Sequence, residues 1–246
     1  MFKNIKIFFE NNKIMKNKFY LTFQNRYEIS EINTSNSEFF PDINLVPKAN
    51  RTQLFKISEN YVNLPTIDCI INLRENNPNS IITALNFANA FIPGGAYIFG
   101  GDAQEESLCR ASTLFYTLKK DFYFHNMQRP IPLYRDGMIY SSNVTVFRNH
   151  LGDFLEPPIK CDFITSPAVN KNFAKFIFSK KKINSVMQNR INKIVSLAIS
   201  KNSNIIVLGA FGCGVFGNKR DDVLPMIENA VNEFVPDDVK VVFASI

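Results

Sequence analysis

Eight of the ten glycines in this chain of 246 residues lie in two short stretches, and this clustering limits the fold more than any other feature of the sequence. The two groups are Gly94, Gly95, Gly100 and Gly101, and then Gly209, Gly212, Gly214 and Gly217. Each group follows an apolar, strand-like run and precedes a helix-like segment. Glycine permits a positive φ and a close approach of the backbone to a ligand, and a loop that leads into a helix can direct N–H groups at phosphate. We therefore predict two phosphate-binding loops rather than two tight turns.

The pattern of apolar residues predicts an α/β fold. The predicted strands cover 66–73, 80–88, 138–148, 161–169, 204–211 and 239–245, and the predicted helices cover 105–120, 183–200 and 220–234. A basic, aromatic loop is predicted at 170–182. Strands that alternate with helices favour a sandwich with a mostly parallel sheet. Residues 1–65 are interpreted as an accessory N-terminal extension with helical parts, and 66–246 as the main domain.

Composition and spacing argue against several classes of function. The net charge of +6 is interpreted as a solvated surface rich in Lys and Asn, and without an RNA-binding signature nucleic acid is not favoured as a partner. The four cysteines are widely spaced, so free thiols are expected rather than a zinc site. We find neither an apolar run long enough to span a membrane nor a Sec signal. A monomer is expected, either cytoplasmic or secreted into a host cell as an effector.

The second glycine stretch spells G-x-G-x-x-G in "VLGAFGCGVFGNK" (207–219), but its position argues against a dinucleotide-binding fold. That fingerprint opens the first βαβ unit and needs an acidic residue about 20 residues later. Only 29 residues follow Gly217, and they contain one predicted helix and one predicted strand. Asn218 also stands where a Walker loop requires lysine. We therefore interpret the stretch as a phosphate-binding loop of another kind.

A pair of carboxylates follows the first glycine stretch. The segment "NFANAFIPGGAYIFGGDAQEESLCRASTLFYTL" (86–118) joins a predicted strand, the glycine loop, Gln104-Glu105-Glu106 and a predicted helix. Two carboxylates at a helix start often only interact favourably with the helix dipole. Their place directly after a glycine-rich loop favours a functional site.

These motifs resemble those of the bacterial-type poly(ADP-ribose) glycohydrolases, a branch of the macrodomain superfamily. In that family a Gly-Gly-Gly loop is followed after six to eight residues by Gln-Glu-Glu, and here seven residues separate Gly94-Gly95-Ala96 from Gln104. "LGAFGCGVFGN" is similar to the family's diphosphate-binding loop, and "VFRNH", "CDFITSPAVN" and "VVFAS" are similar to further blocks in the same order. The resemblance spans about 66–246. It implies a three-layer α/β/α macrodomain with a mixed, mostly parallel sheet.

The resemblance also implies roles for individual residues. Glu106 is the expected catalytic residue, and Glu105 is expected to help position the ribose. Phe216 would pack against the distal ribose, and Asn86 and Asn89 would line its pocket. The other expected ADP-ribose-binding positions are Gly94, Gly95, Ala96, Gln104, Gly209, Gly212, Cys213, Gly214, Val215, Gly217 and Asn218. No metal or cofactor is implied, and the expected partners are an ADP-ribosylated protein substrate and ADP-ribose itself.

The adjacency of Glu105 and Glu106 bears on the mechanism. On a helix their side chains diverge by about 100°, so they cannot easily act from opposite faces of a ribosyl bond, as paired carboxylates do in most glycosidases. One carboxyl that first protonates the leaving group and then deprotonates water is the better hypothesis. We assign both steps to Glu106.

Ala96 replaces the third glycine of the family's loop and leaves the exact substrate open. A Cβ at this position is expected to crowd the terminal ribose, so the alternatives are hydrolysis of the polymer and hydrolysis of a single ADP-ribose, including one linked to arginine. A non-catalytic ADP-ribose reader would retain both loops without needing Glu106. A secreted effector would use the basic N-terminus for targeting or docking.

Overall fold

A computed structural model describes residues 2–29, 36–127 and 131–246, and it shows a seven-stranded sheet between two layers of helices. The helices are α1 (Phe2–Asn17), α2 (Thr66–Asn76), α3 (Gln104–Ala111), α4 (Lys120–Met127), α5 (Lys171–Ala174), α6 (Lys180–Ser200) and α7 (Arg220–Phe234). The strands are β1 (Phe19–Leu21), β2 (Arg26–Glu28), β3 (Ser37–Phe40), β4 (Tyr61–Val62), β5 (Ile82–Phe87), β6 (Met138–Arg148), β7 (Phe154–Ser166), β8 (Ile205–Leu208) and β9 (Lys240–Ala244). This arrangement confirms the predicted α/β class.

The large sheet is mixed and mostly parallel, as predicted. Its strand order is β3-β6-β7-β5-β8-β9-β4, and β1 and β2 form a separate antiparallel pair. The strands from β7 to β4 run parallel, whereas β3 and β6 pair antiparallel at one side. Because side chains alternate along a strand, β8 supplies both layers: Ile206 and Leu208 join the core with α6 and α7, and Ile205 and Val207 join the core with α2 and α3.

The predicted strand over 66–73 is wrong, because this segment forms α2. Its buried positions include Ile67, Ile70 and Leu73, which recur at three-residue intervals along one face of a helix. A short apolar run fits either a helix or a buried strand, and only its packing distinguishes them. Here α2 packs against α3 and β5 instead of joining the sheet.

The other predicted strands and helices are present; β6 and α7 have the predicted ends, and the ends of the rest are shifted. β7 begins before the predicted 161 because Phe154 already pairs with Arg148 of β6. The helix predicted over 105–120 ends at Ala111, and a turn of 3-10 helix follows at 114–117. The predicted loop at 170–182 contains α5 and the start of α6.

Features of membrane spans and metal sites are absent from the described residues. None of their helices has both the length and the apolar character needed to cross a membrane. They contain no group of three or more His, Cys, Asp or Glu side chains placed to hold a metal ion. All four cysteines are free, as expected.

The N-terminal part of the chain contributes to both the sheet and the helical layers. β3 and β4 are outer strands of the large sheet, and α1 packs on α3 and on the 3-10 turn at 97–99. The division of the chain at residue 65 stays a prediction. Residues 1 and 30–35 of the predicted extension lie outside the described residues.

Asn11 anchors α1 to the rest of the molecule through three hydrogen bonds. Its buried amide donates to Tyr97 Oη at 3.0 Å and to Arg110 O at 2.8 Å, and it accepts from Arg148 Nε at 3.0 Å. One side chain thereby connects α1 with α3, with β6 and with the 3-10 turn at 97–99, which lies inside the first glycine stretch.

We predict that Asn11→Leu lowers the free energy of unfolding by about 3 kcal/mol, because Arg148 Nε and Arg110 O lose a buried hydrogen-bond partner. Urea unfolding followed by circular dichroism measures the change. The matched control is Asn17→Leu, the same substitution at an exposed position of the same helix. Equal stability of the two variants would contradict this role for Asn11.

Candidate active site

The two glycine stretches meet at one edge of the sheet. β5 and β8 are parallel neighbours, so their carboxyl ends lie side by side, and each is followed by one stretch. Gly209 packs against the end of β5, since a Cβ there would come within 3.0 Å of Phe87 Cζ. The ring centroids of Phe87 and Phe211 are 5.7 Å apart. The fold thus joins loops that are more than 100 residues apart in the sequence.

Gln104, the first residue of α3, continues the hydrogen bonding at the end of β5. Its side-chain oxygen accepts from Phe87 N at 2.9 Å, and its side-chain nitrogen donates to Leu85 O at 2.8 Å. A longer bond of 3.4 Å reaches Thr66 Oγ1. These bonds fix the start of α3 against the strand and direct the next two carboxyl groups into the protein.

Glu105 is buried and holds the turn that follows β5. Its carboxyl accepts from Asn89 N at 2.7 Å and from Asn86 Nδ2 at 3.3 Å. The Asn89 side chain is itself used in the turn, where it accepts from Phe91 N and Ile92 N. Burial raises the pKa of Glu105 to about 8, although these donors favour its charged form.

Glu106 lies beside the first glycine loop, and its two carboxylate oxygens have different surroundings. Its Oε1 accepts from Ala96 N at 2.8 Å. Its Oε2 is buried and has no hydrogen-bond partner among the residues that the structure describes. Such an oxygen is unfavourable unless another group pairs with it. Glu106 Oε2 is therefore an acceptor that this loop leaves available to a ligand.

Gly95 provides the space for both carboxyl groups. Its φ is +56°, which side chains rarely adopt, and a Cβ would clash with Glu106 Oε1 and lie 3.2 Å from Glu105 Oε2. Ala96 differs, because its φ of −92° suits any residue. The Ala96 Cβ faces Gly101, where a second Cβ would approach to 2.7 Å. The loop accommodates the methyl group of Ala96 without a strained φ at that residue.

Most N–H groups of the first loop already donate hydrogen bonds to other groups of the protein. Gly95 N donates to Ile92 O, and Gly101 N donates to Ala96 O. Ala96 N is occupied by Glu106. The loop therefore shapes the site around the carboxyl groups and has few donors left for phosphate.

The second loop keeps its donors free. Within the described part of the chain, the N–H groups of Gly212, Gly214, Val215 and Phe216 are bonded to no acceptor. Gly212 and Gly217 have φ values of +72° and +70°, left-handed conformations that side chains rarely adopt. Successive free N–H groups in such a loop form an anion-binding concavity. Of the two predicted phosphate loops, the second has the geometry for that task.

Two asparagines hold the second loop in shape. Asn218 Nδ2 donates to Gly212 O at 3.1 Å, and Asn172 Nδ2 donates to Val215 O at 3.0 Å. Asn172 N also donates to Phe216 O at 3.2 Å. Asn218 was predicted from the motif, whereas sequence reasoning missed Asn172 because it lies in the segment interpreted as a basic loop.

The remaining predicted positions of this loop differ in exposure. Cys213 is half-buried, and burial raises the pKa of its thiol, which argues against a role as a nucleophile. Gly214 has open space around it, and Val215 is exposed. These two residues form the outer tip of the loop.

Tyr134 connects the two loops and was not predicted. Its ring centroid lies 5.3 Å from that of Phe91, before the first loop, and 6.2 Å from that of Phe216 in the second. Its φ is +61°, rare for a bulky residue. The fully buried Arg190 donates to the carbonyls of Tyr134 and Leu133 and so stabilises this backbone. No sequence pattern reports this conformation.

A cleft of about 520 Å³ opens next to the site. It lies along the same sheet edge, and its lining includes Phe87, Gln104 and Ala210, together with Asn4 and Ile7 of α1. The structure therefore places the N-terminal helix along one wall of the cleft. Among the described residues, Gln104 is the predicted site residue that lines it.

Comparison with known proteins agrees with the motifs. The family model described as microbial-type PARG, catalytic domain, matches residues 10–149, more than half of the chain. PARG denotes poly(ADP-ribose) glycohydrolase. The comparison with curated proteins finds no match.

Solved structures of bacterial enzymes have the same fold. The poly(ADP-ribose) glycohydrolase from Thermomonospora curvata is 28% identical with a TM-score of 0.86, over 99% of this chain and 93% of that one. Its complex with the inhibitor ADP-HPD is 26% identical with a TM-score of 0.84, over 100% and 94%. The Deinococcus radiodurans enzyme in complex with ADP-ribose is 31% identical with a TM-score of 0.68, over 75% of each chain.

The left-handed conformation of Gly95 gives a prediction about stability. We expect Gly95→Ala to lower the free energy of unfolding by about 1–3 kcal/mol, because the new Cβ meets a positive φ and the Glu106 carboxyl. Gly214→Ala, the matched control in open space, should change it by less than about 0.5 kcal/mol. Chemical denaturation measures both, and a neutral Gly95→Ala would contradict the geometry.

The raised pKa of Glu105 predicts a pH dependence of stability. Between about pH 4.5 and 8 the folded protein keeps a proton that the unfolded chain has released, so this group makes the free energy of unfolding fall as pH rises. Glu105→Gln removes the titration and should make the fall shallower. Denaturation at a series of pH values tests this, with the exposed Glu75→Gln as control. Equal slopes for wild type and Glu105→Gln would rule out a raised pKa.

Proposed function

Because the chain belongs to the family of microbial-type poly(ADP-ribose) glycohydrolases, we propose that it releases ADP-ribose from poly(ADP-ribose) by hydrolysing ribose–ribose bonds, with Glu106 as the general acid and base. Glu106 Oε2, buried and without a partner among the described residues, is the observation that carries this assignment. Hydrolysis of a ribosyl bond passes through an oxocarbenium-like state and requires a proton at the leaving oxygen. Glu106 Oε2 supplies that proton and then takes one from the attacking water.

Glu105 has a positioning role in this proposal. Both of its oxygens are occupied, by Asn86 Nδ2 and Asn89 N, so it shapes the ribose pocket rather than transferring a proton. Asn86 keeps a buried Oδ1 with no partner in the described part of the chain, and this atom can accept a bond from a ribose hydroxyl. Phe216, which packs beside Tyr134, would contact the distal ribose.

The two loops divide the recognition of ADP-ribose between them. The free N–H groups of the second loop bind the diphosphate, since each can donate to a phosphate oxygen. The first loop, from Gly94 to Ala96, encloses the ribose next to Glu106. A protein that only read ADP-ribose would have no need to keep a carboxylate oxygen buried and unpaired at this point.

Polymer hydrolysis is favoured over the arginine-linked alternative. The arginine-linked substrate is an alternative because Ala96 replaces a glycine of the family loop. Ala96 has a negative φ and its Cβ faces Gly101, so the replacement by itself gives no reason for a different substrate. No feature of the described residues favours an effector role.

We predict that Glu106→Gln reduces release of ADP-ribose from poly(ADP-ribose) by roughly 10²–10⁴-fold, because the amide cannot transfer a proton. Its oxygen can still accept from Ala96 N, so binding of ADP-ribose, measured by calorimetry, should persist. The matched control is Glu75→Gln, an exposed carboxyl on α2, which should keep full activity.

The same assay on arginine-linked mono-ADP-ribose separates the alternatives. Release from the polymer by wild type and loss of release in Glu106→Gln support the proposal. Release from the arginine substrate alone would overturn the polymer assignment. Binding of ADP-ribose without release from either substrate would identify a reader.

A further inference from the structure

A basic and aromatic surface lies beside the second glycine loop. Residues 163–220 contain ten lysines and arginines and no acidic residue, whereas the rest of the chain has eighteen basic against twenty-two acidic residues. α5 and the turn that follows it lie in this region. The surface, called here the α5 surface, consists of Phe173, Lys175, Phe176, Ile177, Lys180 and Lys219.

The apolar side chains of this surface are unusually exposed. Phe173, Phe176 and Ile177 are 64%, 79% and 65% exposed. Residues three and four apart in a helical turn lie on the same side, so these three form one apolar patch. Ala174 and Phe178, on the other side, pack against the core and hold the segment in place. The exposure of the patch is thus a property of an ordered segment.

The lysines border this patch. Lys175 Nζ lies 5.1 Å from the ring centroid of Phe176. Lys175, Lys180 and Lys219 line one groove of about 310 Å³. Asp222 lies in the same groove, where Lys180 contacts it at 3.0 Å. The groove still carries a net positive charge next to two exposed phenyl rings.

The α5 surface is continuous with the proposed diphosphate site. Asn172 of α5 donates to Val215 O and Phe216 O at the tip of the second loop. Gly217 packs directly against the Asn172 side chain. Lys219 follows the last residue of that loop. A chain of linked nucleotides that leaves the second loop would therefore meet this surface next.

We propose that the α5 surface binds further ADP-ribose units of the polymer, outside the unit held between the glycine loops. Phe173 and Phe176 stack with adenine rings, and Lys175, Lys180 and Lys219 pair with diphosphates. Basic grooves with aromatic side chains bind single-stranded nucleic acids in this way, without reading their sequence. The inference rests on the proposed function and names how the same site holds a long substrate.

An anionic membrane surface is the competing occupant, because it also attracts lysines and exposed phenylalanines. Two observations favour the polymer. The surface adjoins a loop with four free N–H groups, which suits phosphates in a chain. Its apolar part is confined to two turns, Phe173 to Ile177, and is far smaller than the face of an amphipathic membrane helix.

The test compares long polymer with a single ADP-ribose unit. The Phe173→Ala/Phe176→Ala variant should raise KM about tenfold for long poly(ADP-ribose), because two stacking contacts are lost. It should leave the affinity for ADP-ribose itself, measured by calorimetry, unchanged, because a single unit is held by the glycine loops alone. The matched control, Phe9→Ala/Phe23→Ala, removes two exposed rings from a distant part of the sequence and should change neither value.

The contribution of the lysines to polymer binding is tested by varying the salt concentration. The Lys175→Gln/Lys180→Gln variant should reduce the dependence of long-polymer KM on salt concentration, since fewer counterions are released on binding. Sedimentation with phosphatidylserine vesicles probes the membrane alternative. Vesicle binding that the phenylalanine variant abolishes, with unchanged polymer kinetics, would overturn the proposal.

The remaining outcomes separate this inference from the proposed function. Equal changes for ADP-ribose and long polymer, or no change for either, would overturn the α5 surface as a polymer site. A wild-type protein that does not hydrolyse long polymer would contradict the proposed function instead. Binding of long polymer to the Glu106→Gln chain, which needs no turnover, would then still decide the inference through the same phenylalanine variants.

Discussion

The sequence Gln104-Glu105-Glu106 at the start of α3 is the constraint on which the site depends. Gln104 bonds the end of β5, Glu105 bonds the turn at 86–89, and Glu106 bonds Ala96 N in the first glycine loop. Successive side chains of a helix point about 100° apart, so three consecutive residues reach three separate segments. One turn of helix therefore sets the relative positions of a strand end, a turn and a loop.

Burying two adjacent carboxyl groups is unfavourable, and the chain compensates them unequally. Glu105 has donors on both oxygens, and burial and its neighbour raise its pKa. Among the residues that the structure describes, Glu106 has a donor on one oxygen only. This asymmetry suits a reaction in which one carboxyl keeps the pocket in shape and the other transfers protons. Gly95 is required because any side chain there would occupy the space of both groups.

Much of the fold and of the candidate site could be predicted from the sequence, for reasons that differ between residues. The glycine loops and the Gln-Glu-Glu motif were recognisable because their function requires particular residue types at fixed spacing. The mostly parallel sheet followed from strands that alternate with helices. α2 was misread because an apolar run of eight residues fits a helix or a strand equally well. Tyr134 was missed because a positive φ in a bulky residue has no local signal.

The sequence by itself determined the α/β class, the two loops and the carboxyl pair, because each depends on local periodicity or on adjacent residues. Only the tertiary structure decided which loop has free N–H groups, since the donors of the first loop are used by Ile92, Glu106 and Ala96. It also decided which carboxylate oxygen stays unpaired, and that Asn11 connects α1 to the loop. Such features depend on which groups meet across distant parts of the chain, and hydrogen-bond partners of that kind are fixed by packing.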